Sequence, residues 1–300
     1  MPMKFRAHDT FFIRKGWLSK GMRNVVENPD VFVTKDKNRN PMDVLGIGAN
    51  MVKALRYWMQ VVGLTQEPNN GVRYQTLTEL GEIIYRCDPY IEEIGTLWLL
   101  QYETAKNEEN ATAWYFFFNK FSMIEFTKDV FVQAVNNYVV FDKGQPSLPT
   151  RSLNDDFSCI INTYVPRAKS NPTKVSPENN IDCPFGELGL IDIISKDGKA
   201  VVYKKSIPSA DSINPWIVLA IIYEQADGKT EIRLSDLLMS PNNIGRVFNL
   251  DSITMLEILR RAERTGLLKI VRTAGLDYIK VEENHTFIEC VENYYNEILR

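Results

Sequence analysis

The chain has 300 residues, 44% apolar and 24% charged, with 35 basic against 38 acidic side chains; these proportions exclude disordered, collagen-like and coiled-coil chains and fit about two domains. No apolar run approaches the ~18 residues of a membrane-spanning helix. The N-terminus, with Lys4, Arg6, His8, Asp9, Arg14 and Lys15, is too charged for a signal-peptide core, so a cytoplasmic protein with no membrane partner is expected. Cys87, Cys159, Cys183 and Cys290 lie far apart with no Cys-x-x-Cys pair, which predicts reduced, mostly buried thiols in place of a zinc ribbon or a dithiol redox pair. His8 and His285 are the only histidines, too few for histidine-rich metal centres, HNH nucleases or two-histidine relaxases.

The net charge of −3 conceals a division along the chain. Residues 1–60 hold eleven basic and five acidic side chains, a net +6, whereas the remaining 240 residues hold 24 basic and 33 acidic, a net −9. A polyanion-binding end on an acidic body has this signature, and so does a solvated basic face with no partner.

In chain order, residues 10–20 read as a strand or loop, with Gly16 preceding a short helix over 22–26. From Asn50 onward Met51, Leu55, Trp58 and Val62 recur at helical spacing. Asn50, Lys53, Arg56, Tyr57 and Gln60 fall on other faces, Gly46 and Gly48 precede the helix and Gly63 ends it. Two short extended runs follow within 64–80, joined by a Pro-Asn-Asn-Gly turn at 68–71, and Leu80-Gly81-Glu82-Ile83-Ile84 comes next. A helix with basic residues outward followed by a hairpin is the order of a winged helix. Helices are predicted over 90–104, 112–121, 127–139 and 152–164. The Trp114-Tyr115-Phe116-Phe117-Phe118 run reads as core before it reads as a partner patch, because rings bury so much area. Linker-like stretches occupy 142–150 and 166–184. Residues 188–194 and 200–207 are β-branched runs joined by Lys196-Asp197-Gly198-Lys199, a hairpin signal. The last ninety residues predict helices over 215–225, 234–238 and 252–265, a Gly266 stop, strands over 267–273 and 276–282 with a turn at 274–275, and a helix over 286–299. In the third of these helices Met255, Leu259 and Ala262 face inward, and Glu257, Arg260, Arg261 and Arg264 face outward, where a recognition helix carries its DNA contacts. Glu257 and Arg261 are also an i, i+4 pair, and many winged helices bind proteins.

The expected fold class is therefore mainly α with small β wings (α+β): a basic winged-helix-like DNA-binding unit (1–86), an aromatic-rich helical middle (87–165), a polar loop and hairpin (166–207) and a C-terminal winged helix (208–300).

Gly46-Ile47-Gly48-Ala49-Asn50 runs directly into a helix whose N–H groups and dipole favour an anion. The stretch lacks the third glycine of a dinucleotide fingerprint, and Lys53 is not placed as a Walker lysine, so a DNA-backbone contact through Gly48, Asn50, Lys53 and Arg56 is preferred to a nucleotide pocket. His8-Asp9 beside Arg14 and Lys15 is the one place where imidazole, carboxylate and cations fall within a few residues, a local candidate for acid/base work or phosphate binding. Neighbouring residues on an extended chain point to opposite sides, which argues against a direct His8–Asp9 pair. No metal-dependent nuclease motif, lipase elbow, P-loop or kinase set is present, so any catalytic centre must gather residues distant in sequence.

The stretches His8-Asp9-Thr10-Phe11 with Arg14, Gly16-Trp17-Leu18-Ser19-Lys20-Gly21, Leu45 through Trp58, and Cys183-Pro184-Phe185-Gly186-Glu187-Leu188-Gly189-Leu190-Ile191 resemble a bacterial family of once-unassigned function, the one that includes the SspB component of single-strand DNA phosphorothioation systems. The resemblance covers essentially the whole chain. It implies DNA binding and, further, strand nicking, with a divalent metal such as magnesium if the chain nicks; His8 and Asp9, the local acid/base candidates, are then the expected catalytic residues. It also implies partners: a cysteine desulfurase, an ATPase and a sulfur-transfer enzyme of a phage-defence system. Arg14, Lys15, Lys20, Gly48, Asn50, Lys53 and Arg56, with Arg260, Arg261 and Arg264, are the expected DNA-binding residues. A non-catalytic scaffold for the sulfur-transfer partners and a winged-helix transcriptional regulator are the alternatives.

Overall fold

Helix α1 (Trp17–Glu27) begins where Gly16 turns left-handed at φ +81°, earlier than the predicted 22–26, because Trp17 and Leu18 already lie on its buried face with Met22 and Val25. In the computed structural model, which describes residues 3–68, 74–166, 183–198, 200–273, 276–281 and 285–299, short α2 (Pro41–Leu45) leads into α3 (Ala49–Val61). Leu55, Trp58 and Val62 of the predicted stripe are fully buried, and Val52, Ala54, Met59 and Val61 widen the face that meets α1. Strands β1 (Thr65–Gln66) and β2 (Thr76–Leu77) pair antiparallel, two residues each. They lead to α4 (Glu79–Cys87), capped by the Thr78 side chain. Glycine is required at 81, since a Cβ there would strike the Leu64 carbonyl.

Helix α5 (Ile94–Lys106) starts later than the predicted residue 90. The Asp88 carboxylate accepts from the N–H groups of Glu92 and Glu93 and from the Thr96 hydroxyl, and Ile91 is left-handed (φ +55°). Buried on every side, α5 is the central helix. Its polar groups are spent on its neighbours: Trp98 Nε1 donates to Ser212 O, Gln101 Nε2 to Val247 O, and Gln101 Oε1 accepts from the Tyr164 hydroxyl. Helix α6 (Thr112–Tyr115) continues as a π-helical turn over Phe116–Lys120, and the whole Trp114–Phe118 aromatic run is buried. After β3 (Glu125–Phe126) come α7 (Lys128–Asn137), extended by a second π turn over Tyr138–Asp142, and α8 (Thr150–Tyr164). The hairpin β4 (Ile191–Asp197) and β5 (Ala200–Lys205) joins β3 in a sheet of order β3-β5-β4.

The C-terminal elements are α9 (Pro215–Ala226), β6 (Glu231–Arg233), α10 (Leu234–Met239), α11 (Ile244–Val247), α12 (Ser252–Glu263), β7 (Leu268–Thr273), β8 (Leu276–Val281) and α13 (Phe287–Ile298). They lie within a few residues of the predicted positions, apart from β6 and α11, which no prediction covered. Strand β6 adds to the β7–β8 hairpin in the antiparallel order β6-β8-β7. Helix α9, with Ile217 to Ile222 all fully buried, packs against α12 and α13. Residues 69–71 of the expected 68–71 turn, the expected turn at 274–275, most of the 166–184 stretch, Lys199 and Glu282 lie outside the described residues. One contiguous core runs from Ile13 to Tyr295. Cys159, Cys183 and Cys290 are buried, Cys87 is half-buried, and none forms a disulfide. No helix among the described residues is long and apolar enough to cross a membrane.

Lys205 closes the sheet onto the aromatic middle. Its Nζ donates to Phe117 O, within the first π turn, and to Phe121 O, just after it, at 2.5 and 2.6 Å, and lies over both rings. The carbonyls and ring faces favour the ammonium, but burial, followed by the Arg246 charge, pushes its pKa down to about 7. Between that value and the ordinary lysine range near ~10.4, the unfolded chain binds the extra proton, so stability rises with pH. Chemical denaturation from pH 7 to 10 is expected to show this rise in the wild type and to lose part of it in Lys205→Met; parallel profiles would show that Lys205 keeps an ordinary pKa.

Candidate nucleic-acid interface

The N-terminal segment reaches the core through tight turns, with Arg6, Asp9 and Thr10 at φ +56°, +50° and +70°. These turns deliver His8 into a wholly buried position. Its Nδ1 accepts from Thr10 N–H at 3.1 Å, and its Nε2 meets Asp156 Oδ1 at 2.7 Å. An accepting Nδ1 leaves the ring proton on Nε2, so the imidazole is neutral and donates to the carboxylate. Asp156 Oδ1 also accepts from Arg6 N–H at 2.9 Å, and the Arg6 guanidinium pairs with Asp155 at 2.7 Å. The ring stacks on Trp58 and meets the edge of Trp114, while Trp58 Nε1 donates to Phe11 O. Burial first, and then the Asp156 charge, push the Tyr57 hydroxyl and the Cys159 thiol well above their ordinary values, which keeps both neutral.

His8 therefore fastens the N-terminal segment to α3 and α8, and the carboxylate it meets is Asp156, not the adjacent Asp9, which is half-buried. Asp156 carries no signal at short range. It does sit on the helical stripe of Leu153, Phe157, Ile160 and Tyr164, and a carboxylate on an apolar stripe is the cue that a distant donor must be found.

The fastened segment brings Lys4 to a cleft of about 310 Å³ lined by Lys4, Lys53, Arg56, Tyr57, Gln60, Glu67 and Asn110. Lys4 Nζ donates to Asn110 Oδ1 at 2.6 Å and Tyr57 Oη to Asn110 O at 2.9 Å. Arg56 holds Glu67 with two parallel bonds of 2.7 and 2.8 Å, and Gln60 and Gln75 also donate to Glu67 Oε1. Lys53 is exposed, with its Nζ 3.5 Å from Asn50 Oδ1. Gly48, exposed and with open space where a Cβ would go, stands at the start of α3, where no side chain caps the first N–H groups.

The other expected cations divide into two kinds. Lys20 Nζ donates to Leu45 O at 2.8 Å and thereby closes the carbonyl end of α2; Arg14 lies over the Trp17 ring; Lys15 is free to face solvent. On α12, Arg260 and Arg264 are exposed, whereas Arg261 is turned inward, donating to Ala210 O at 2.6 Å beside Asp211. The N-terminal and α12 residues thus form two separate groups. Lys4, Glu67, Asn110 and Asp156 were missed by the sequence reading, since none carries a motif. Among the described residues, no three His, Cys, Asp or Glu side chains are gathered as a metal ion such as magnesium would need.

Against known proteins, residues 5–295 match the family described as "Protein of unknown function (DUF4007)". Two solved structures are similar over 98% of this chain and 88% of theirs. One is described as magnesium ion-bound SspB (26% identity, TM-score 0.80) and the other as SspB (25% identity, TM-score 0.81). No curated protein sequence matches.

Removing one member of the His8–Asp156 pair strands the other in a dry core. His8→Ala and Asp156→Ala are expected to lose about 3 kcal/mol in urea unfolding, and the exposed Lys53→Ala to stay within about 0.5 kcal/mol of wild type. A His8→Ala protein as stable as wild type would remove the fastening role.

Proposed function

The chain belongs to the DUF4007 family, and from that premise, with its SspB-like structure, we propose that it is a DNA-binding component of a bacterial DNA phosphorothioation system. The observation that carries the DNA-binding reading is the convergence of Lys4, Lys53 and Arg56 on one cleft beside the uncapped start of α3. Lys53, exposed at the rim, neutralises a backbone phosphate, and the Asn50 amide and the Gly48–Ala49 backbone offer donors to the same strand. Arg56 stays clamped by Glu67 and contributes a fixed, oriented charge. Lys15 extends the surface. His8, sealed from solvent, is a positioning residue, which moves any nicking chemistry to groups that reach the cleft.

A second reading, an adaptor for the sulfur-transfer partners, is favoured by one observation. A mostly apolar cleft of about 520 Å³ runs between the middle and the C-terminal elements, with Ile124, Ile207 and Met239 among its exposed lining residues.

DNA held by several phosphates is expected to dissociate steeply with salt. A Lys53→Ala, Arg56→Ala double change should reduce the log–log salt slope by about 1 to 2; an unchanged slope and affinity would remove the cleft from the interface. The same proteins, incubated with supercoiled plasmid and magnesium, manganese or chelator, separate the two readings. Open circles from wild type but not from the double mutant would establish a nickase working through this cleft, and intact plasmid with salt-sensitive binding a non-nicking DNA-binding component.

A further inference from the structure

The C-terminal elements are acidic except within one stretch of the sequence. Within residues 260–280 six basic side chains (Arg260, Arg261, Arg264, Lys269, Arg272 and Lys280) meet only Glu263 and Asp277, whereas the rest of 208–300 carries twelve acidic and four basic residues. The stretch begins on the last turns of α12, passes Gly266 (φ +82°) and runs out along the β7–β8 hairpin. Lys269 and Lys280 are direct register partners on one face of this hairpin, both exposed, a like-charge pairing that costs stability unless an anion lies against it. Glu231 offsets Lys280 from the other side, and Arg272 faces Asp277 across the ladder.

Helix α12 has the construction of a reading head. Asp251 caps it, accepting from Thr254 N–H at 2.7 Å, and Met255, Ile258, Leu259 and Ala262 anchor it in the core. Its opposite face presents Ile253, Glu257, Arg260 and Arg264 at i, i+4, i+7 and i+11, one stripe about 16 Å long, all exposed. Ile253 is 75% exposed, although nothing in the fold requires a large aliphatic side chain in water. Between its charged neighbours this stripe combines three chemistries that duplex base edges answer: an apolar contact for a thymine methyl, a carboxylate for a cytosine amine and a guanidinium for guanine. The element order α9, β6, α10, α11, α12, β7, β8, with β6 added to the hairpin, follows that of a winged helix with the short α11 inserted before α12.

We propose that α12 reads the sequence of duplex DNA from the major groove, Ile253, Glu257 and Arg260 meeting base edges while Arg264 and the hairpin cations hold phosphate. The proposal rests on the DNA-binding reading above and adds to it the ligand form and the residues that discriminate. Arg261, committed to Ala210 and Asp211, is not part of the reading face.

The test is selection of bound duplexes from a randomised pool by the full-length protein, with folding of each variant checked by thermal melting. Wild type is expected to select a defined site. Arg260→Ala should relax one base position by about 5- to 150-fold, Glu257→Gln and Ile253→Ala should relax others, and replacing thymine by uracil should weaken wild type but not Ile253→Ala. Arg264→Ala with Lys269→Ala should weaken all sequences alike and lower the salt slope by about 2. Binding with no base preference, the same selected site in all three base-face variants, or binding to single strands alone would overturn the reading head and leave DNA binding in place. Absence of any salt-sensitive DNA binding would overturn both.

Discussion

The hydrogen bond between His8 and Asp156 joins residues 148 positions apart in a wholly buried setting, and the geometry of the N-terminal interface follows from it. Residues 3–12 have no regular structure of their own, and a segment with three non-glycine residues in left-handed conformation holds its shape only if its surroundings over-determine it. The imidazole supplies that determination. It fills the space between Trp58 and Trp114, donates to a carboxylate that would otherwise be costly to bury, and takes the Thr10 N–H that the turn would leave unpaired. With that segment fixed, Lys4 stands over Asn110 at the mouth of the cleft; without it the cleft loses one of its three cations.

The second organising interaction is the pairing of Arg56 with Glu67. A guanidinium committed to a carboxylate and flanked by two glutamine amides is a poor free ligand, but its orientation is settled before anything binds. An exposed lysine on the same helix, Lys53, has the opposite character: it has no carboxylate partner among the described residues, only a 3.5 Å contact to Asn50 Oδ1, and its compact, strongly hydrated ammonium can exchange water for phosphate. The cleft thus combines one rigid and one adaptable charge. This suits a backbone whose phosphates recur at fixed spacing but vary in local geometry.

How much of this was legible in the sequence depended on the range of the interaction concerned. Elements whose ends are written locally were readable: Pro215 at the first turn of α9, Gly198 between β4 and β5, Gly266 after α12, and the Thr286–Glu289 capping box of α13. Helix α4 was not read, because its start depends on Thr78 as cap and its path on Gly81 lying against the Leu64 carbonyl, neither of which shows as periodicity. The start of α5 moved for a related reason, since Asp88 satisfies the N–H groups of a turn that periodicity alone assigns to the helix. In the candidate site, Lys53 and Arg56 were visible as cations on a polar helix face. Their partners Glu67 and Asn110, like Asp156 for His8, come from other elements and are fixed only by the tertiary fold.

Charge segregation ties the two basic surfaces to one physical consequence. Outside residues 1–60 the chain is net acidic, so most of its surface repels a polyanion, and at physiological salt that repulsion extends no further than about 8 Å. On the proposed DNA-binding reading, the α3 cleft and the basic residues of 260–280 are the places that would accept a duplex. Their chemistry differs: the first groups cations with backbone N–H groups, the second interleaves cations with Ile253 and Glu257. A surface of the first kind supplies affinity that is indifferent to sequence, and one of the second kind supplies discrimination. On the proposed reading, the first surface would hold the DNA backbone and the second would test its bases, so that affinity and discrimination rest on different side chains.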